Sequence, residues 1–169
     1  MFRDHTCNEL RLADEGKRVA LSGWVAKRRN LGSIVFIDLR DRYGITQLVF
    51  DEEMAEKIKD VRNEYVIKVS GVVSKKDNPN PKLETGAIEV KVAAVEILSS
   101  AKTTPMIIAY ETDALEELRL RYRYLDIRRN PIKEKLLLRD KITTIVRSTL
   151  HEDNFVEVET PILSKSTPE

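Results

Sequence analysis

A single cysteine, Cys7, stands in the 169 residues. It can form no internal disulfide and no multi-cysteine metal site, and it fits a reducing compartment. No apolar run approaches the roughly 20 residues that cross a bilayer, so no membrane contact is expected. The first twenty residues carry charges throughout, which speaks against a signal peptide and makes the cytoplasm the expected address. Glycine is scarce, and Gly23, Gly32 and Gly44 are scattered singly, so no glycine-rich phosphate loop exists. The two histidines, His5 and His151, lie far apart without metal-ligand spacing. Asp38/Asp41 and Glu157/Glu159 read as strand-surface charges rather than acid–base pairs. No catalytic residue, metal site or cofactor is therefore expected within these residues.

The net charge is only +1, which does not mark a nucleic-acid binder, yet its distribution is uneven. Residues 1–50 hold nine Lys/Arg against six Asp/Glu, with Lys27, Arg28 and Arg29 adjacent, and an acidic stretch follows at 51–56.

Short runs rich in Val and Ile fill the first hundred residues. The first covers 18–27, with Val19, Leu21 and Val25 on one face and Ser22, Trp24 and Arg28 on the other. The second covers 33–41, and the third 45–50 after the turn-like Arg42-Tyr43-Gly44. Helical spacing of Met54, Ile58 and Val61 predicts a helix over 52–62. Two more strands follow at 65–74 and 87–98. Three strands, a helix and two strands is the order of a five-stranded OB-fold β-barrel, though another small barrel with an incidental helix has the same order.

The composition changes after Ala101. Residues 102–129 read as a hinge or linker. Within it a short helix is expected from Thr112 or Asp113, Glu116 standing at capping-box distance from Asp113, and a basic-aromatic segment covers 119–129. Asn130-Pro131 opens a longer helix, a cap residue before a first-turn proline. Its apolar stripe is Leu138, Ile142, Ile145 or Val146, and Leu150. Residues 155–159 alternate like a strand and run into Pro161. The expected domains are thus 1–101, a hinge at 102–129, and an incomplete α+β segment at 130–169. The fold class is mainly β with α.

Candidate binding residues cluster in the first half. Period-2 alternation sets Val35, Ile37 and Leu39 on one face of the second strand and Phe36, Asp38 and Arg40 on the other. Phe36 is either a stacking platform for an unpaired base or a cover for a barrel edge or the following helices. Arg28 and Arg29, beside the turn 30–33, either meet phosphates and bases or form a solvated charge run. Gln47 can donate to and accept from a base edge, or be a satisfied, partly buried amide. The loop 75–86, with Asn78-Pro79-Asn80-Pro81, would adjoin an oligonucleotide groove. Glu89 can accept from a base amino or imino group, or stand as an ordinary surface charge.

Several strings carry a resemblance. Gly23-Trp24-Val25, Arg28-Arg29 and Gly32 lead into Phe36-Ile37-Asp38-Leu39-Arg40-Asp41-Arg42, then Gly44-Ile45 with Gln47. In that order they closely resemble the anticodon-binding barrel of aspartyl-tRNA synthetases. Cys7-Asn8-Glu9-Leu10-Arg11 resembles the bacterial opening, and Arg121 through Arg129 the segment leading into the catalytic domain. Phe155 through Pro161 resembles the first class II signature, and Ser166-Thr167-Pro168-Glu169 the start of a mobile active-site loop. Lysyl and asparaginyl enzymes share the barrel and the first signature. The second-strand string and the terminal Ser-Thr-Pro-Glu favour the aspartyl family.

The resemblance implies that Phe36 stacks on the middle anticodon base of the aspartate tRNA and that Gln47 hydrogen-bonds it. It makes Arg29 an anticodon contact at the barrel turn, with Arg28 beside it. Asn78, or Asn80 in its place, and Glu89 would read the first anticodon base. Pro161 would belong to a homodimer interface, and Glu169 would approach the substrate's amino group. The signatures that hold ATP, aspartate and magnesium lie beyond Glu169 in the family. ATP and Mg2+ are thus expected of the full-length ligase, and these 169 residues alone are expected to be inactive. Two other readings stand beside this one: a sequence-nonspecific single-strand-binding OB module, and a fragment that chiefly dimerises through 139–161.

Overall fold

The computed structural model describes residues 2–163, 165 and 166. The chain divides into two compact units, Met1–Thr104 and Pro105–Glu169.

The first unit is a closed five-stranded barrel in the order β1-β2-β3-β5-β4. The strands are β1 Arg18–Asn30, β2 Val35–Arg40, β3 Ile45–Phe50, β4 Val66–Lys75 and β5 Ile88–Ser99, with helix α1 Glu52–Lys57 between β3 and β4. This is the OB fold. All ladders are antiparallel except β3–β5, whose register sets Leu48 beside Val90. The expected alternation holds: Val19, Leu21, Val25, Val35, Ile37, Leu39, Leu48 and Phe50 are buried in one core with residues of β4 and β5. Gly23 occupies a close crossing, where a Cβ would run into the Arg40 carbonyl on β2.

Three expectations need correction here. The first strand does not end at 27. A bulge between Val25 and Lys27 carries it on to Asn30 and reverses which side chains face out. Helix α1, capped by Asp51 accepting from Met54 N at 3.0 Å, stops at Lys57 rather than 62. Ile58 and Val61 still reach the core (0% and 1% exposed), because Glu64 takes a left-handed φ of 67° and its N–H returns the chain to Val25 O at 2.7 Å. Asp41 is no surface charge. It is 7% exposed and organises the β2–β3 turn, accepting from Tyr43 N at 2.8 Å, Gly44 N at 3.0 Å and Cys7 N at 2.9 Å, and pairing with Arg3 at 2.7 Å. Burial, aided by the Asp41 charge, pushes the Cys7 thiol far above its ordinary value.

The second unit contains helices α2 Glu116–Arg121, α3 Arg123–Asp126 and α4 Asn130–Glu152. The Asp113–Glu116 capping box does not form: Leu115 is the cap of α2 and offers no side-chain bond. Asn130 is likewise already helical, with Arg129 at the cap position and the proline in the first turn. What holds this unit is Asp126, fully buried and met by Arg119 at 3.0 Å, Arg123 at 2.8 Å and Arg129 at 2.9 Å. Arg129 also donates to the carbonyls of Ala109 and Tyr110 at 3.0 and 2.8 Å. No residue of α4 is buried, and Leu138, Ile142, Ile145, Val146 and Leu150 are all exposed. Residues 155–159 alternate but form no strand: an isolated extended segment satisfies none of its backbone groups without a neighbour to pair with. Glu157 instead forms a two-pronged pair with Arg147. Among the described residues no helix is long and apolar enough to cross a membrane.

Candidate nucleic-acid interface

The β1 bulge decides what the barrel presents. Without it, Arg29 would continue the inward series of Val19, Leu21 and Val25. With it, Lys27 stands opposite Asp38, Arg28 opposite Ile37 and Arg29 opposite Phe36. Directly paired residues lie on one face of the sheet. Arg29, Phe36 and Asp38 therefore share the outer face, while Arg28 pairs with a core residue and its Nε is buried without a hydrogen-bond partner. The expected grouping of Arg28 with Ser22 and Trp24 on one face ends at this bulge.

The β2–β3 register adds Gln47 opposite Asp38, and the parallel β3–β5 pair brings Glu89 beside Gln47. A continuous network results. Arg29 Nη2 donates to Asp38 Oδ1 at 2.9 Å and to Gln47 Oε1 at 3.3 Å. Gln47 Nε2 donates to Glu89 Oε2 at 3.0 Å. The Arg29 guanidinium carbon lies over the Phe36 ring, 5.8 Å from its centroid, within cation–π range. Phe36 and Gln47 are half-buried and face outward, so the ring does not belong to the core.

Lys76 is a member that sequence reasoning passed over. It lies just past the end of β4, where its N–H donates to Ala87 O at 3.0 Å, and it is 7% exposed. Burial lowers the Lys76 ammonium below its ordinary value, opposed by the charges of Glu89 and Asp38. Burial likewise raises the Glu89 carboxyl, opposed by Lys76 and by the Gln47 hydrogen bond. The available signal was register: Ser74, two residues before Lys76, pairs with Glu89.

Asn78 and Asn80 lie exposed in the loop after β4. The Asn80 side chain is engaged by Lys82 N at 3.0 Å, and its N–H closes the loop on Gly86 O at 2.9 Å. Pro161 is exposed in an irregular stretch, and Glu169 lies outside the described residues. Among the described residues no group of three or more metal-ligating side chains comes together.

Two family models match the chain. Residues 19–98 match the OB-fold nucleic acid binding domain, and 115–169 match the class II tRNA synthetases (D, K and N). Relatives decide the member. The aspartate–tRNA ligase of Amoebophilus asiaticus is 50% identical across 99% of this chain, and that of Bacteroides thetaiotaomicron 48% across 100%. The chain belongs to the aspartyl-tRNA synthetase family. It spans 30% of the length of these curated relatives. The asparaginyl-tRNA synthetase of Pyrococcus horikoshii, solved with asparaginyl-adenylate, superposes with a TM-score of 0.78 at 29% identity, over 96% of this chain and 37% of that one. An Entamoeba histolytica aspartyl-tRNA synthetase superposes at 0.84 with 22% identity, over 92% of this chain and 38% of its own, a likeness of fold alone. The barrel is this family's anticodon-binding domain.

Proposed function

We propose that the chain reads the anticodon of aspartate tRNA within an enzyme that joins aspartate to that tRNA. Phe36 is the stacking platform for the middle anticodon base, and Gln47 hydrogen-bonds the same base. Arg29 borders the ring. Glu89, with Asn78 or Asn80, reads the first base. The observation that carries this reading is the convergence of Arg29, Phe36, Gln47 and Glu89, from four different strands, on one outward face with hydrogen-bond contacts between them.

The charge pattern favours base reading over sequence-indifferent binding. A groove that only tracks a phosphate backbone gains from unopposed cations, whereas Asp38 and Glu89 stand directly among Arg29 and Lys76 here. Carboxylates accept from base amino and imino groups but repel phosphate. The decisive measurement is titration of the chain with stem-loop RNAs that differ in one anticodon base. Tightest binding to the aspartate anticodon is expected, and equal affinity for all the stem-loops rejects the reading.

The full-length enzyme is further proposed to be a cytoplasmic homodimer that uses ATP and magnesium. The exposed apolar stripe of α4 and the segment through Pro161 support a dimer face, and Glu169 is assigned to the amino-acid substrate. The described residues do not make a metal site, so no chemical step is assigned to them.

A further inference from the structure

The ring that anticodon reading requires is not bare. The guanidinium that lies over Phe36 is tethered twice through one nitrogen, to Asp38 at 2.9 Å and to Gln47 at 3.3 Å. The first bond is charge-assisted and the stronger of the two, the second is longer and meets a neutral acceptor. Asp38 is itself well fixed: it sits mid-strand, between Lys27 on one side and Gln47 on the other, and its side chain is 23% exposed against 43% for Arg29. Flat aromatic surfaces in contact lie about 3.5–4 Å apart. A base sandwiched between ring and guanidinium would need two such spacings, about 7–8 Å, against the 5.8 Å found. A base cannot lie between the two as they stand.

We propose that Asp38 is a positioning residue that holds Arg29 over Phe36 as a removable cover, which a stacking nucleotide base must displace. This rests on the reading of Phe36 as a base platform. In the free protein the cover shields an outward-facing phenyl ring from water. Once displaced, the guanidinium keeps its charge beside the incoming nucleotide. Asp38 sets how firmly the cover is held, and the bulge after Val25 is what brings Arg29 onto this face at all.

Two measurements on the whole chain test it: stopped-flow association with a stem-loop RNA carrying the aspartate anticodon, and proton–carbon spectra of the Phe36 ring without RNA. Arg29→Ala removes the cover together with a positive charge. Steering by charge alone makes this variant associate more slowly, whereas loss of a cover makes it associate roughly three- to tenfold faster. The opposite signs separate the two causes. Asp38→Asn keeps Arg29 but loosens it, so its Phe36 signals are expected to move toward those of Arg29→Ala, and Asp38→Glu to restore them. Slower association of Arg29→Ala, or Phe36 signals in Asp38→Asn that coincide with the unmodified chain, overturns the proposal. Should the unmodified chain bind no stem-loop, the anticodon reading itself falls, and the ring spectra alone then uphold or overturn the hold of Asp38 on Arg29.

Discussion

The barrel and the helical unit contain similar proportions of apolar residues and use them to opposite ends. In the barrel, alternation sends most of the Val, Ile and Leu of β1–β4 inward, and Phe50, Ile37 and Leu48 are completely buried. In α4, seven large apolar residues on a 23-residue helix remain exposed, and none is buried. A closed barrel pairs its own edges and fills its own interior. A helix buries its stripe only against something else. The helical unit is consequently held by polar contacts around Asp126, the barrel by apolar packing.

That contrast can be broken at its largest effect first. Phe50→Ala is expected to cost the barrel about 3–5 kcal/mol, as large core truncations do, measured as a lower urea midpoint of the barrel's transition. Asp126→Asn is expected to cost the helical unit about 1.5–3 kcal/mol, the range for hydrogen bonds to a charged partner, with the barrel's transition unmoved. Equal losses in both transitions would show that the units do not differ as described.

The two units also answer acid with opposite signs. Burial alone would raise the Asp126 carboxyl, but hydrogen bonds from Arg119 and Arg129 outweigh it and hold the group below its ordinary value. Its contribution is present above the unfolded value of about 3.9 and is lost as pH falls through the lower folded value. Glu89 is raised by burial. Its contribution is full below the unfolded value of about 4.3 and is lost as pH rises through the higher folded value. Melting each unit over a pH range that reaches below about 3.9 and above about 4.3 should show Asp126→Asn flattening the acid side of the helical unit. Glu89→Gln should flatten the upper side of the barrel's profile. Unchanged profiles would refute both assignments.

How much of this was legible in the sequence depends on whether the deciding contact is local. β3 coincides residue for residue with the expected 45–50, because β-branched alternation between two turns suffices. The strand order of an OB barrel and the outward position of Phe36 were equally legible. The bulge after Val25 was not. It is fixed by the pairing of β1 with both β2 and β4, and period-2 counting carried across it set Arg28 among the outward residues. Asp41 and Lys76 escaped for the same reason: the groups they meet are Cys7, 34 positions back, and Glu89 on another strand. Residues 155–159 show the converse error, a strand pattern with no neighbouring strand to realise it.

Smaller in energy but closer to function is Phe36→Ala. The ring is half-buried and outward, so its loss should spare most of the barrel's stability while weakening binding of the aspartate stem-loop by about 1–3 kcal/mol, the usual stacking loss. Calorimetric titration beside a urea melt separates the two quantities. An unchanged dissociation constant would contradict the platform assignment, and a collapse of stability would make the ring a packing residue after all.

The smallest effect should come from α4. Ile142 is 54% exposed, so Ile142→Ser removes little buried area, and the helical unit should shift by less than about 0.5 kcal/mol, the ordinary range for surface substitutions. Repeating the melt at low and high protein concentration sharpens the comparison with the barrel. If a second copy covers this stripe, the loss from Ile142→Ser must grow with concentration, because association stabilises only by mass action. The loss from Phe50→Ala, set inside a closed barrel, must remain the same at both concentrations.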